Sequence, residues 1–587
     1  MRIFLLHPED SPHSGPWRKM QWDLVVDLGI SSAFQVRSWE QELNSSVLSL
    51  GLFRHGLEDP KDANKILQSG RGHLVGNHEL DWWELVALLI HEELETALLV
   101  SRLCAALPHA DEIYASRAGW PISAAAADLK REIKTLGPNP DERTSGRLAH
   151  YWNVVRKFSW PQLREIFLDK YDAGYKWRSR VGVRASRGSG SVVLVPTAYT
   201  NVSRMAADYA RMLPDQEFLF VTTRTSAAQF ERPPNVRVAN LAAYATKSAD
   251  EGECSRLLDN WKALRGKLSQ IPELAVLISA GRLDFIPDLL RNGLAMRDAW
   301  RGVLATEQVT AVLCGDDSNR YTRVPVLLAR KLGIPTVDFH HGAFDGRFLF
   351  KTLPSDLFLA KSEMERDYLV NICGLAAEKI ALGAPRLQDY VDATGSEKRE
   401  FTHIIFFSEA YETSNARPED IYRELLTPLL KLARKSGVKL VIKLHPFESA
   451  KERQWLIERV FSPADIDLIE IVAGPLTQNL LLNAWFAITV ESTAALDCTL
   501  RNVPCFVCEW LVLSSYGYIQ QYARFGVGIM LNSPEQIQDI PEVLAKSNPL
   551  AVQKDYLWKP IEPGTLAMYL SQSPSLSYDK GRGRKAN

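Results

Sequence analysis

The segment VKLVIKLHPF, residues 438–447, is a short apolar run that stops abruptly at Lys443-Leu444-His445-Pro446. Its composition is typical of a buried strand in a parallel α/β sheet. In open α/β sheets, ligands bind outside the carboxyl ends of the strands. The segment therefore places a cation and an imidazole where a ligand would lie, and Pro446 restricts the backbone that carries the imidazole.

Strand-like apolar runs alternate with helical segments on both sides of this region. The earlier stretch begins at SVVLVP (191–196) and continues through TAVLC (310–314) and PTVDF (335–339). The later stretch begins at THIIFF (402–407) and includes WFAITV (485–490). Such alternation is the signature of βα units and a mostly parallel sheet.

We therefore predict an α/β protein in which two Rossmann-like domains face each other across a cleft, with an α/β extension at the N-terminus. A chain of 587 residues is long enough for two or three domains. The predicted parts are an N-terminal α/β region packed with or part of the first Rossmann-like domain (1–185), that domain (190–385), a second Rossmann-like domain (400–565) and a disordered basic tail (571–587).

The N-terminal region gives fewer signals. Residues 8–80 show no regular pattern, whereas Leu80–Leu107 predicts a long helix that is packed or faces a partner, and Pro121–Leu136 predicts another. Charged residues within 82–107 exclude a membrane-spanning helix there. The first ten residues, MRIFLLHPED, have a short apolar part and turn acidic, so no signal peptide is expected.

The composition is that of an ordinary soluble protein, with 46% hydrophobic and 24% charged residues and a net charge of −1. This balance gives no reason to expect a nucleic-acid partner. The seven cysteines are scattered. Cys505 and Cys508 form a CxxC inside an apolar run without a second pair, so we expect buried, inert thiols in a reducing cytoplasm.

Polar residues stand at five predicted strand ends. Because parallel strands end at one edge of their sheet, these residues would line the facing edges of the two domains. They are Asp316-Asp317 and His340-His341 in the first domain, and Ser408-Glu409, Lys443 with His445, and Glu491-Ser492-Thr493 in the second.

In the second domain, Ser492 and Thr493 precede the helical segment AALDCTL (494–500). Their hydroxyls either cap this helix or, with its free N–H groups and dipole, bind a phosphate. In the second case His445 and Lys443 would add cationic donors. Glu409 either accepts hydrogen bonds from a ribose or is a solvated loop acid.

In the first domain, Asp316 and Asp317 are adjacent acids that repel each other, so one could have a raised pKa suited to a general base. Alternatively, Asp316 caps the following turn or helix. His341 is a second candidate for a base or phosphate donor, and Gly342 allows a positive φ close to a ligand. No metal site is expected here, because Asp316-Asp317 is not part of a DxD motif and has no third acid nearby in the sequence.

These motifs resemble the GT-B glycosyltransferases of bacterial surface-polysaccharide synthesis, and in particular sialyltransferases, capsular Kdo transferases and CDP-glycerol glycerophosphotransferases. The resemblance covers about residues 190–530. CGDDSNRY (314–321) is similar to the sialyltransferase acid pair, although that family has glycine in place of Ser318. His341-Gly342 is similar to the HG of the glycerophosphotransferases. The segments 333–342, 355–369 and 379–386 resemble the part of the superfamily that leads into the interdomain crossover.

The resemblance implies that 190–385 binds an acceptor and that 400–565 binds a nucleotide, with His445 and Ser492/Thr493 on its phosphate. It implies inverting, metal-independent sugar transfer from a nucleotide-activated donor, such as a CMP- or CDP-linked sugar, to a surface glycan or glycolipid of the capsule type. Asp317, Asp316 or His341 would be the base. The protein would be cytoplasmic, and a lipid-linked acceptor would bring it to the inner face of the membrane.

Two other functions remain open from the sequence. A non-hydrolysing UDP-sugar 2-epimerase shares the two-domain architecture and would use acids and histidines for elimination and re-addition. A non-catalytic component that binds a nucleotide sugar or a glycan would need the same site without the reacting acids.

Overall fold

Three separate parallel sheets organise the chain in the computed structural model. The structure describes residues 1–50, 66–107, 109–136, 190–224, 226–245, 250–342, 344, 352–386, 401–474, 476–511, 521–546 and 556–572. The predicted helical segment 141–180, the crossover residues 387–400 and the tail from residue 573 lie outside the described residues.

The N-terminal domain has a five-stranded sheet in the order β3-β2-β1-β4-β5. Its strands are β1 (Arg2–Leu6), β2 (Leu24–Asp27), β3 (Ser46–Ser49), β4 (Glu112–Ala115) and β5 (Ile133–Thr135). Its helices are α1 (Ala33–Leu43), α2 (Trp83–Ala106) and α3 (Ile122–Leu129).

This domain contains regular structure that the sequence did not predict. β2, α1 and β3 lie in the stretch 8–80. The helix predicted for Pro121–Leu136 is wrong in its second half, because Lys130 adopts a left-handed conformation with φ of 50° and ends α3. The short strand β5 then pairs with β4.

The middle domain has a seven-stranded sheet in the order β12-β11-β10-β9-β6-β7-β8, so the strand order reverses between β6 and β9. Its strands are β6 (Ser191–Thr197), β7 (Glu217–Thr222), β8 (Val236–Asn240), β9 (Gln308–Cys314), β10 (Thr336–Phe339), β11 (Leu357–Ala360) and β12 (Ile380–Leu382). Its helices are α4 (Thr200–Arg211), α5 (Glu251–Leu268), α6 (Pro272–Ser279), α7 (Ile286–Thr306), α8 (Arg320–Lys331) and α9 (Glu363–Asp367).

The C-terminal domain has a six-stranded sheet in the order β15-β14-β13-β16-β17-β18, with its reversal between β13 and β16. Its strands are β13 (His403–Phe407), β14 (Lys439–Lys443), β15 (Ile469–Val472), β16 (Ala484–Thr489), β17 (Cys505–Cys508) and β18 (Ile529–Leu531). Its helices are α10 (Pro418–Ser436), α11 (Ala450–Val460), α12 (Pro463–Ile466), α13 (Gln478–Leu482), α14 (Ala494–Leu500), α15 (Tyr522–Phe525) and α16 (Ile540–Lys546).

The end of the described chain crosses back to the middle domain. Pro560 pairs with Ala384, and the last helix α17 (Pro563–Ser571) buries Leu566 and Leu570 against the seven-stranded sheet.

Cys505 and Cys508 lie buried on β17 as free thiols. No helix of the described residues has both the length and the apolar character needed to cross a membrane.

Helix α2 is shared by two hydrophobic cores. Its first half, including Trp83 and Ile90, packs with α5 to α8 in the core of the middle domain. Its second half, including Val100 and Leu103, packs beneath the N-terminal sheet. One rigid helix therefore fixes the N-terminal domain to the middle domain.

The N-terminal domain also docks on the C-terminal domain through a buried arginine. Arg417, which precedes α10, is only 4% exposed, and its guanidinium donates to Asp27 at 2.7 Å. The same group donates to the backbone carbonyls of His7 and Asp10 at the carboxyl edge of the N-terminal sheet, at 3.0 and 2.9 Å. It also stacks 4.9 Å from the ring centre of Trp39. A side chain of another domain thus occupies the edge where a Rossmann-like sheet would bind a ligand.

Removal of this arginine tests how strongly the domain is held. In Arg417→Met we expect the free energy of unfolding to fall by about 3–5 kcal/mol, because the fully buried Asp27 carboxylate loses its counter-ion. The measurement is chemical denaturation combined with hydrogen exchange of β1 and β2.

The matched control is Arg434→Met in the last turn of α10, where Arg434 and Asp465 form a half-exposed ion pair that contributes at most about 1 kcal/mol. Equal losses in the two variants would contradict the proposed strength of the Arg417 anchor.

Candidate functional site

Tyr522 lies in a hydrophobic core that is shared by side chains of the middle and C-terminal domains. This buried tyrosine of α15 has a pKa raised well above its ordinary value, chiefly by burial, with contributions from Glu409 of the C-terminal domain and Glu365 of the middle domain. Arg524 pairs with Asp367 across the same junction. The parallel, Rossmann-like sheets of the middle and C-terminal domains confirm the predicted α/β architecture.

Asp316 shapes the turn that follows β9. Its carboxylate accepts hydrogen bonds from the Ser318 backbone N–H and the Asn319 side chain, both at 2.9 Å. Asn319 in turn caps α8. Asp316 was predicted to be either a general base or a cap of the following turn. These hydrogen bonds give it the capping role, and they engage both carboxylate oxygens.

Asp317 forms a buried ion pair. Its carboxylate accepts from the Arg323 guanidinium at 2.8 Å, and both side chains are 1% exposed. Arg323 also donates to Glu84 on α2, at 2.8 Å. A helix that begins in the N-terminal region thus reaches the network behind β9, and the position of Asp317 favours a structural role over proton transfer with a substrate.

His341 follows β10 next to this network. Its ring is half-buried, and its Nδ1 atom has no hydrogen-bond partner within the described residues. Burial lowers its pKa, the Asp316 carboxylate acts in the opposite direction, and the Lys361 ammonium lowers it further. The ring is therefore mainly neutral at pH 7 and can accept a proton.

His445 in the C-terminal domain is held in a defined orientation. Its backbone N–H donates to Glu448 at 2.7 Å, and its Nδ1 accepts from the Phe447 backbone N–H at 3.3 Å. This contact leaves the proton on Nε2, which makes that atom a donor. Burial, followed by the Lys443 charge, lowers the pKa of His445.

Lys443 is buried beneath this loop. Its ammonium donates to the carbonyls of Leu444 at 2.8 Å and Gly474 at 2.6 Å, and so ties the ends of β14 and β15 together. Burial lowers its pKa. These bonds give Lys443 a structural role, and contact with a phosphate remains a prediction.

Glu409 bridges the strand reversal of the C-terminal sheet. It accepts from the Glu491 backbone N–H at 2.8 Å and from the Thr489 hydroxyl at 3.3 Å. Burial of the carboxyl group, followed by the negative charge of Glu491, raises its pKa to about 8. At neutral pH it is mostly protonated, so it can donate a hydrogen bond to a ligand oxygen as well as accept one.

Ser492 and Thr493 stand at the start of α14, as predicted. The Ser492 hydroxyl accepts from the Ala494 backbone N–H at 3.2 Å, which is the capping role, whereas the Thr493 side chain makes no capping bond. Phosphate binding by this pair remains a prediction.

Several polar residues of these edges were missed by the sequence analysis. Glu448 accepts from Ser408 and from Arg453, each at 2.7 Å, and so supports the loop of His445. Its position three residues after His445 was an available signal. Asp338, buried within β10, has a pKa raised to about 8 mainly by burial, and its place as the one charged residue of the run PTVDF was an available signal. Within the described ranges, no group of three or more His, Cys, Asp or Glu residues is arranged to hold a metal ion.

No protein-family model matches the sequence, and no curated protein matches it either. Among solved structures, the chain is similar to the UDP-GlcNAc 2-epimerase of Methanocaldococcus jannaschii in complex with UDP-GlcNAc and UDP, with 14% identity, coverage of 64% of this chain and 97% of that chain, and a TM-score of 0.40. It is similar to a glycosyltransferase from Rickettsia africae ESF-5 at 10% identity, with coverages of 66% and 94% and a TM-score of 0.38. It is also similar to the wall teichoic acid polymerase TagF at 9% identity, with coverages of 72% and 97% and a TM-score of 0.35. Similarity this low transfers no activity to the chain.

The raised pKa of Glu409 predicts a pH-dependent stability. Between the pKa of about 4.5 expected for an unfolded glutamate and about 8, the folded state binds more protons, so the free energy of unfolding falls as pH rises, by at most about 1.4 kcal/mol per pH unit. In Glu409→Gln this contribution disappears. We expect the variant to gain stability relative to the native protein between pH 5 and pH 8, as measured by denaturant titration.

Glu470→Gln, which changes an exposed carboxylate on β15 of the same sheet, is the matched control and should show no such gain. If Glu409→Gln tracks the native protein at every pH, the carboxyl group is ionised normally and this account of the site is wrong.

Proposed function

We propose that the protein is a glycosyltransferase that moves a sugar from a nucleotide-activated donor to a hydroxyl of a surface glycan or glycolipid. The observation that carries the proposal is the pair of mainly neutral imidazoles, His341 and His445, which follow β10 and β14 at the carboxyl edges of the two Rossmann-like sheets. One ring is suited to accept a proton and the other to donate a hydrogen bond.

His341 is the proposed general base. Asp317 is engaged by Arg323 and both oxygens of Asp316 are engaged by the turn, so these carboxylates are less available to an acceptor hydroxyl. The lowered pKa of His341 keeps it neutral at pH 7, and the nearby Asp316 charge would stabilise the imidazolium formed on proton transfer.

His445 is the proposed donor to the departing phosphate. As the bond between the sugar and the phosphate breaks, negative charge gathers on the phosphate oxygens, and a fixed Nε2–H would stabilise it. The hydroxyls of Ser492 and Thr493 and the protonated form of Glu409 are further donors in the same domain. A hydroxyl that attacks in one step, opposite the leaving phosphate, inverts the anomeric centre, and in the proposal these residues supply its proton acceptor and hydrogen-bond donors without a metal.

Nucleotide binding is tested by thermal unfolding in the presence of CMP, CDP, UDP and GDP. We expect one of the four, in the proposal a cytidine nucleotide, to raise Tm, with about 2.7 kcal/mol of stabilisation at 100 times its Kd. His445→Ala should lose the shift while its own Tm stays native, and His73→Ala, at an exposed position, should keep the shift. If none of the nucleotides shifts Tm, or if His445→Ala responds fully, the phosphate site is not where we place it.

Catalysis is tested with His341→Asn. We expect kcat for transfer to fall by about 100- to 10,000-fold, because the base is lost, while the nucleotide-induced shift in Tm is retained. The measurement follows release of nucleotide and formation of the glycoside from CMP- and CDP-linked sugars with glycan acceptors, in the presence and absence of EDTA.

The same assay distinguishes the two other functions. If the donor is converted to its epimer without any acceptor, the protein is an isomerase. If a nucleotide binds but neither conversion occurs with any donor, the protein is a binding component, and in both cases the transferase proposal fails.

A further inference from the structure

We propose that Lys361 and Glu365 are positioning residues that hold the His341 turn in the geometry required for proton transfer; this inference rests on the proposed function. Neither residue stood out in the sequence. Lys361 follows β11 directly, and Glu365 lies on the short helix α9.

The contacts of Lys361 surround His341. Its ammonium donates to the carbonyl oxygens of His340 at 2.9 Å and Gly342 at 3.0 Å, the residues on either side of His341. One side chain therefore holds the peptide unit directly before His341 and the carbonyl of the next residue, Gly342. Because the imidazole is attached between these two fixed carbonyls, a rearrangement of the turn would move the ring.

Glu365 fixes the ammonium in turn. Its carboxylate lies 2.8 Å from the Lys361 Nζ and also accepts the Lys361 backbone N–H at 2.7 Å. Lys361 is 4% exposed and Glu365 is fully buried. Desolvation of two charges offsets much of their attraction, so such a pair contributes little net stability compared with an apolar pair. What it supplies here is a rigid, charged donor at the His341 turn.

The pair also acts on the charge state of the ring. The groups that influence His341 are Asp316 and the Gly315 backbone after β9, and Lys361 after β11. The ring centres of His340 and His341 lie 4.9 Å apart, with the two ring planes tilted by 43°. Burial is the main cause of the lowered pKa, and Lys361 lowers it further, whereas Asp316 and Gly315 raise it. Loss of the Lys361 charge should therefore raise the pKa of His341.

The test uses three variants of the full chain. Lys361→Met removes the donor, and Lys361→Met with Glu365→Met removes the pair without leaving a buried carboxylate unpaired. Lys361→Arg restores a cation that can donate to carbonyls. The control is Lys331→Met, which breaks a more exposed ion pair with Glu79 in the same domain.

The first readout is the pH titration of the His341 ring by NMR with labelled histidine, in which His341→Asn identifies the signal. We expect the midpoint to move to higher pH in Lys361→Met and in the double variant, to return toward the native value in Lys361→Arg and to stay native in Lys331→Met. An unchanged midpoint in the double variant, with the fold intact, overturns the proposal.

The second readout is transfer kinetics on the cytidine-linked donors. We expect kcat to fall by about 10- to 100-fold in the double variant with KM little changed, the acid limb of the kcat profile to move to higher pH, and Lys361→Arg to recover most of the rate. If native protein transfers sugar and the double variant does so at the native rate, the positioning role is wrong although the function stands. If native protein transfers nothing, the proposed function fails, and the titration still decides whether Lys361 controls the His341 ring.

Discussion

Arg417 carries a full positive charge where only 4% of its surface meets solvent, and the Asp27 carboxylate that faces it is fully buried. Neither charge is stable there without the other, since an isolated buried ion costs several kcal/mol. The pair therefore fixes the N-terminal domain to the start of α10. Helix α2 fixes the same domain to the middle domain, because one half of the helix lies in each core.

These two anchors affect the candidate site because they attach the N-terminal domain to both Rossmann-like domains, and those two domains carry the residues of the site. The N-terminal domain is attached to both of the other domains. If the middle domain rotates against the C-terminal domain, either the N-terminal domain must bend or one of the two anchors must break. α2 also contributes Glu84, which holds Arg323 and, through it, Asp317. The N-terminal region thus supports the candidate site through the contacts of Glu84. The carboxyl edge of its own sheet is occupied by Arg417.

The sequence predicted the parts of the fold that repeat long, regular patterns. The strands from Ser191 onward are apolar and end in polar residues, so their parallel arrangement and the two sheet edges that carry His341 and His445 could be predicted. The N-terminal sheet could be predicted only in part, because β3 and β5 have only four and three residues and are largely exposed, and their pairing depends on long-range contacts.

The roles of individual acids were harder to predict than their positions. Asp316 and Asp317 are adjacent in the chain, yet one binds a turn and the other a buried guanidinium. The guanidinium belongs to Arg323, six residues later, and a spacing of six gives no signal of contact. Glu409 shows the opposite case: its place after β13 was predicted, but its raised pKa depends on burial and on the charge of Glu491, which only the folded sheet brings close.

The protonation states suggest why this edge could accept an anionic ligand despite its many carboxyl groups. Glu409 and Asp338 each have a pKa raised to about 8, so both are mostly neutral at pH 7. Glu448 is compensated by Arg453, and Asp317 by Arg323. A phosphate that enters between the sheets would therefore meet fewer bare negative charges than the composition implies. Ionisation of Glu409 and Asp338 as pH rises through about 8 would add negative charge, so the affinity of the proposed site for a phosphate should weaken. At neutral pH the proposed His445 donor would act beside a mostly neutral Glu409, which follows the neighbouring strand β13.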